Sequence, residues 1–107
     1  MRDFLNINLG EIMTDAEQQE VINKSINLLG LQGQVDQFHE EVGELLTAIN
    51  HYKRGRNTIE DLIVEIVDVN MMLKALRAAY MIKDEDYDKI NIQQWDKFKN
   101  QIDKIEI

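Results

Sequence analysis

Five acidic residues carry the spacing most suited to chemistry: Glu40 and Glu41 with Glu44, then, after a gap of twenty residues, Glu65 with Asp68. Within each pair the i, i+3 spacing sets two carboxylates about 5–6 Å apart on one helix surface. The surrounding apolar residues say where those surfaces lie. Leu31, Val35, Phe38, Val42, Leu45, Ile49 and Tyr52 form one stripe, and Ile59, Leu62, Ile66, Val69, Leu73, Leu76 and Tyr80 form a second, each with alternating three- and four-residue steps. At about 100° per residue, Glu41 and Glu44 stand about 80° and 140° to one side of the first stripe. Glu65 and Asp68 stand at nearly the same offsets from the second.

Two helices joined by the short turn at Lys53-Arg54-Gly55-Arg56 pack as an antiparallel hairpin. Equal signed offsets on antiparallel helices fall on the same side of the hairpin. Counted outward from Arg54–Gly55, both acidic pairs also sit at the same height. Four carboxylates so placed repel by ~4 kcal/mol per like pair at 4 Å and an effective dielectric near 20, which predicts a bound cation or retained protons. Oxygen-only ligation points to Mg²⁺, with Mn²⁺ as a substitute, because neither histidine falls within the pairs.

The elements that position these groups are predicted as four helices. Thr14-Asp15-Ala16-Glu17 has the form of a capping box and opens a first helix over about 15–29, stopped by Gly30. The second carries the first stripe. Asn57-Thr58-Ile59-Glu60 is expected to cap the third, with Asn57 as N-cap and Glu60 three residues on. Asp84-Glu85-Asp86 suits the positive N-terminal end of a fourth, whose apolar side is Tyr87, Ile90, Trp95, Phe98, Ile102 and Ile105. The expected fold is all-α, four-helix-bundle-like and completed by dimerisation. It is a single domain over 1–107, with an N-terminal arm (1–13), a metal-binding helical core (14–82) and a C-terminal helix (83–107).

Composition agrees. The 107 residues include no proline and no cysteine, which permits long helices and removes disulfides, thiolate metal sites and thiol catalysis. A net charge of −8 argues against nucleic acid or anionic membranes as partners. The lack of a long apolar run or signal-like start predicts a cytoplasmic protein.

The pattern Glu40-Glu41-x-x-Glu44 … Glu65-x-x-Asp68, within His39 to Leu76, resembles the E-E-x-x-E … E-x-x-D signature of MazG-like all-α NTP pyrophosphohydrolases, especially the short phage-type and bacterial members. The resemblance implies Mg²⁺-dependent cleavage of a nucleoside triphosphate between its α and β phosphates, in a homodimer or homotetramer. It implies Glu41, Glu44, Glu65 and Asp68 as metal ligands, with Glu40 an accessory carboxylate that orients water or a second metal. Glu40 and Glu41 are then the catalytic carboxylates. The late basic segment of the family is only partly matched, by Lys97 and Lys99 without an arginine.

Lys53, Arg54 and Arg56 suit either a guide for triphosphate or a solvated turn. Lys74 and Arg77 are further candidates for substrate binding, and a half-buried Arg77 needs an anion, from substrate or across a subunit interface. Glu60 and Asp61 are explained by capping and the helix dipole, His39 and His51 by surface or packing roles, and Trp95 and Phe98 by core or interface. Two other functions compete, a catalytically silent helical bundle that serves as an interaction module and a carboxylate-bridged metal protein of another kind.

Overall fold

The computed structural model describes residues 12–106; most of the N-terminal arm (1–11) lies outside them. The described chain is all-α, with helices α1 (Asp15–Lys53), α2 (Ile59–Ala79) and α3 (Asp84–Ile105). No helix among the described residues is long and apolar enough to cross a membrane.

The Thr14–Glu17 capping box forms as expected, with the Glu17 N–H donating to Thr14 Oγ1 at 3.1 Å and the Thr14 N–H donating to Glu17 Oε1 at 3.0 Å. The break at Gly30 also forms, but as a kink within α1. Its φ of 70° is a left-handed conformation that favours glycine. Gly33 matters beside it, because a Cβ there would stand 2.7 Å from Leu29 Cβ. The kink turns 15–29 away from the line of 31–53, so that Gln34 Nε2 reaches back to Ser25 Oγ at 2.6 Å.

The turn after α1 is closed by backbone bonds from Arg54 and Arg56 to the His51 carbonyl, and by Asn57 Nδ2 donating to the Ala48 carbonyl at 3.2 Å. The expected cap of the next helix moves by one residue. Thr58, with extended backbone, is the N-cap, and Asp61 completes the box in place of Glu60. Asn57 is therefore left free to bind α1.

The α1–α2 hairpin differs from expectation in how its helices are rotated. The most buried residues are Gln34 (1% exposed), Ala48 (7%) and Ala75 (3%). Gln34, Glu41 and Ala48 recur at seven-residue spacing along α1, and Asp61, Asp68 and Ala75 do so along α2, pairing in height about Arg54–Gly55. This is the seam between the helices. About half of each predicted stripe borders this seam half-buried, Val35, Phe38, Val42 and Leu45 on α1 with Leu62, Val69 and Leu76 on α2, while the outer half is turned away from it. Leu31, Ile49 and Tyr52 with Ile59, Ile66, Leu73 and Tyr80 are consequently exposed on one side of the hairpin. Small alanines let the helices approach, and the carboxylates sit close to the seam rather than out on its flank.

α2 ends with the Ile82 N–H donating to the Arg77 carbonyl and Met81 in a left-handed conformation (φ 57°). This is a Schellman-type stop made without glycine. α3 then leaves the hairpin. Beyond the contacts of Arg77 with Asp84 and Tyr87 in its first turn, it packs against neither α1 nor α2, and none of its residues is buried. The four expected helical segments are thus present among the described residues, the first two as one helix broken at Gly30, but the last does not pack into a bundle with the others.

Candidate metal centre

Glu41 and Glu44 are carried by consecutive turns of α1, and Glu65 and Asp68 by consecutive turns of α2. The hairpin register brings the two sets together. Carboxylate oxygens of Glu41, Glu44 and Glu65 lie within 4.8 Å of one another, the one such grouping of three potential ligands among the described residues. Asp68 is half-buried at the same end, near enough for its charge to act on both Glu41 and Glu65.

The electrostatics of the cluster are those of crowded like charges. Glu41 is raised above the ordinary glutamate value of 4.5, first by desolvation and then by the charges of Glu44, Asp68 and Glu65. Glu65 is raised for the same first reason, then by Glu44 and Asp68. The nearness of the Glu44 carboxyl adds to the rise at both. Glu41 Oε2 and Glu65 Oε2 are nevertheless buried acceptors with no donor, a costly condition for carboxylates.

These residues fit a hard divalent cation. Oxygens about 2.1 Å from an octahedral Mg²⁺ stand about 3.0 Å apart when adjacent and about 4.2 Å when opposite, so a set within 4.8 Å closes on the ion with movements of at most about 1.8 Å in any one separation. A cation would also supply the charge that the two orphaned acceptors lack. Glu41, Glu44 and Glu65 would hold it, with Asp68 beside them.

The pKa directions predict a pH dependence for the metal-free protein. The fold favours the protonated form of Glu41 and Glu65, so their contribution to stability is complete below about pH 4.5 and is lost as pH rises through their raised values. Glu17 and Asp61 act oppositely. Their carboxylates are lowered, first by backbone hydrogen bonds at the helix caps, and their contribution is lost only as pH falls below the usual carboxylate range. Between pH 5 and 8 in EDTA, the thermal midpoint is expected to fall with rising pH, and less steeply in Glu41→Gln. Parallel curves for the two proteins would refute the assignment of strain to this site.

The other candidate residues separate by location. Glu40 is exposed and, about 100° around α1 from Glu41, is not one of the three clustered carboxylates. A cavity of about 340 Å³ adjoins the cluster, lined by Glu44 and Glu65 together with Thr47, His51, Asn57 and Asp61. Lys53 and Arg56 are exposed at the turn end of the same hairpin. Lys74 and Arg77 instead line a second cavity of about 420 Å³, formed with Asp15, Gln18 and Ile22 of the first segment of α1. Arg77 lies about 18 Å along the helix axis from Glu65. Its anion is Asp84 of its own chain, at 3.6 Å, and its guanidinium stacks 3.5 Å from the Tyr87 ring centroid; neither a substrate nor a subunit interface is needed to supply that charge. Lys99 pairs with Asp103 at 2.8 Å.

Sequence reasoning missed Thr47 and Asn57 as neighbours of the carboxylates and assigned His51 only a surface or packing role. The available signal was height, since all three stand between the acidic pairs and the turn. Compared with protein-family profiles, curated proteins and solved structures, the chain gave no significant match.

Proposed function

We propose that this protein is an Mg²⁺-dependent nucleotide pyrophosphohydrolase of the MazG-like all-α type, which hydrolyses an NTP or dNTP to the monophosphate and pyrophosphate. The observation that carries the reading is the gathering of Glu41, Glu44 and Glu65 across two helices, with two buried oxygens that lack donors. The signature residues support it, since the three clustered carboxylates and the adjacent Asp68 are those on which the resemblance rests. On this reading the bundle is completed by a homodimer or homotetramer, and the protein acts in the cytoplasm.

When bound, Mg²⁺, or Mn²⁺ in its place, neutralises phosphate oxygens and acidifies a coordinated water. The chain's own residues supply the rest. Glu41, one of the two catalytic carboxylates of the resemblance, would accept the proton of the attacking water through whichever of its oxygens does not hold the cation. The cavity beside Glu44 and Glu65 has room for part of a nucleotide, with His51 and Thr47 as polar contacts. Lys53 and Arg56 give the turn end a positive character that draws in the triphosphate.

The test is separation of products by anion exchange after incubation with canonical and modified NTPs and dNTPs, with Mg²⁺ or with EDTA. Monophosphate and pyrophosphate formed only with Mg²⁺ are the expected result. No monophosphate from any nucleotide, with Mn²⁺ also tried and the sample folded, would favour the second reading, a silent interaction module. The large exposed apolar surface is the observation on its side.

A further inference from the structure

The cavity of about 420 Å³ between the first segment of α1 and the end of α2 is lined by none of the clustered carboxylates. Lys74 and Arg77, one turn apart on α2, line it with Asp15, Gln18 and Ile22 of α1 and with Asp84, the first residue of α3. We propose that this cavity binds a phosphate-type oxyanion through Lys74 and Arg77, and that the anion competes with Asp84 for Arg77 and so loosens the start of α3.

Helix geometry separates this cavity from the metal centre. Lys74 follows Glu65 by nine residues, which places it about 14 Å along the axis of α2 and about 180° around it. A nucleotide held by its phosphates on a cation at the metal centre would not bring those phosphates to Lys74. The inference stands whether or not the protein hydrolyses nucleotides.

Unused donors give the argument for an anion. Among the described residues, Lys74 has no ion-pair partner. Arg77 is half-buried; Tyr87 covers one face of its guanidinium and Asp84 meets Nη2 at 3.6 Å, which leaves other N–H groups in its plane unused. Lys83, the N-cap of α3, makes no side-chain hydrogen bond to the first turn of that helix, whereas Thr14 and Thr58 cap α1 and α2. The first N–H groups of α3 are therefore without a capping side chain. A tetrahedral oxyanion accepts from an ammonium, a guanidinium edge and helix N–H groups at once, and the cavity has room for pyrophosphate or for the phosphate end of a larger molecule.

Two carboxylates of the cavity oppose an anion. Asp15 lies in the first turn of α1, where the positive helix end offsets its charge. The Asp84 side chain is 93% exposed and meets Arg77 at a long 3.6 Å, so the pair contributes little and an anion with more oxygens displaces it. The Arg77–Asp84 pair and the Arg77–Tyr87 stack are the side-chain ties between α3 and the hairpin, and occupancy of the cavity therefore reaches α3.

The test is isothermal titration of the full chain, residues 1–11 included, with inorganic phosphate, pyrophosphate or a nucleoside monophosphate in EDTA at fixed ionic strength. With no metal present the acidic cluster repels anions, so failure here leaves the reading of the metal centre untouched. Binding is expected in the wild type, about tenfold weaker in Lys74→Gln, about tenfold tighter in Asp84→Asn and unchanged in Glu41→Gln. Tighter binding of the monophosphate than of the inorganic ions would assign the site to an organic phosphate, and the reverse order to the free ion. Trp95, the single tryptophan of the chain, lies on α3, so its fluorescence anisotropy is expected to fall as the anion saturates. No binding of any of the three, or equal binding in the wild type and a Lys74→Gln variant of unchanged helicity, would overturn the site. Constant anisotropy at saturation would overturn its link to α3.

Discussion

If the proposed pyrophosphohydrolase activity holds, Glu41→Gln and Asp68→Asn are each expected to lower pyrophosphate release by about three orders of magnitude, ~4 kcal/mol of barrier, with helicity by circular dichroism unchanged. The two substitutions act differently. Glu41→Gln replaces one of three clustered oxygens by an amide and removes the carboxylate with the raised proton affinity. It therefore reduces both cation binding and proton acceptance. Asp68→Asn leaves the three clustered carboxylates in place but removes the fourth charge that acts on Glu41 and Glu65. Neither should unfold the hairpin, because its buried contacts run through Gln34, Ala48 and Ala75. Full turnover in both variants would end the site assignment, and loss of helical signal in either would make these residues structural instead.

Millimolar Mg²⁺ is expected to raise the thermal midpoint by about 10–20 °C at a fixed protein concentration. A ligand that binds only the folded state at a hundred times its dissociation constant contributes about 2.7 kcal/mol, and each kcal/mol moves the midpoint of a domain of this size by roughly 4–8 °C. The same ion removes the repulsion that raises Glu41 and Glu65. The effect should therefore grow from pH 5 to pH 8, as these carboxylates become able to ionise. Sodium chloride at matched ionic strength is the control, since screening acts on exposed charges generally. Equal shifts with the two salts would show that no specific cation site exists, and would turn weight toward the silent bundle.

Much of this protein follows from local sequence alone. Thr14 and Glu17 mark the start of α1, Gly30 its break and Arg54–Gly55 the turn, because caps, left-handed glycines and helix ends depend on a few neighbouring residues. The counting of residues outward from that turn also put Glu41 opposite Asp68 and Glu44 opposite Glu65, since rise per residue is constant in a helix. The clustering of Glu41, Glu44 and Glu65 was legible for that reason.

Tertiary structure decided what lies around each helix. The two apolar stripes were expected to face one another, yet the seam runs through Ala48 and Ala75, and Ile49, Ile66 and Leu73 remain uncovered. Periodicity shows which side of a helix is apolar, but not whether that side meets its own hairpin partner or something beyond the chain. The shift of the cap to Thr58 and Asp61 and the pairing of Arg77 with Asp84 have the same origin. Each sequence pattern admits several partners, and the choice among them depends on the rotation of helices about their axes, set by packing summed over every neighbour in space.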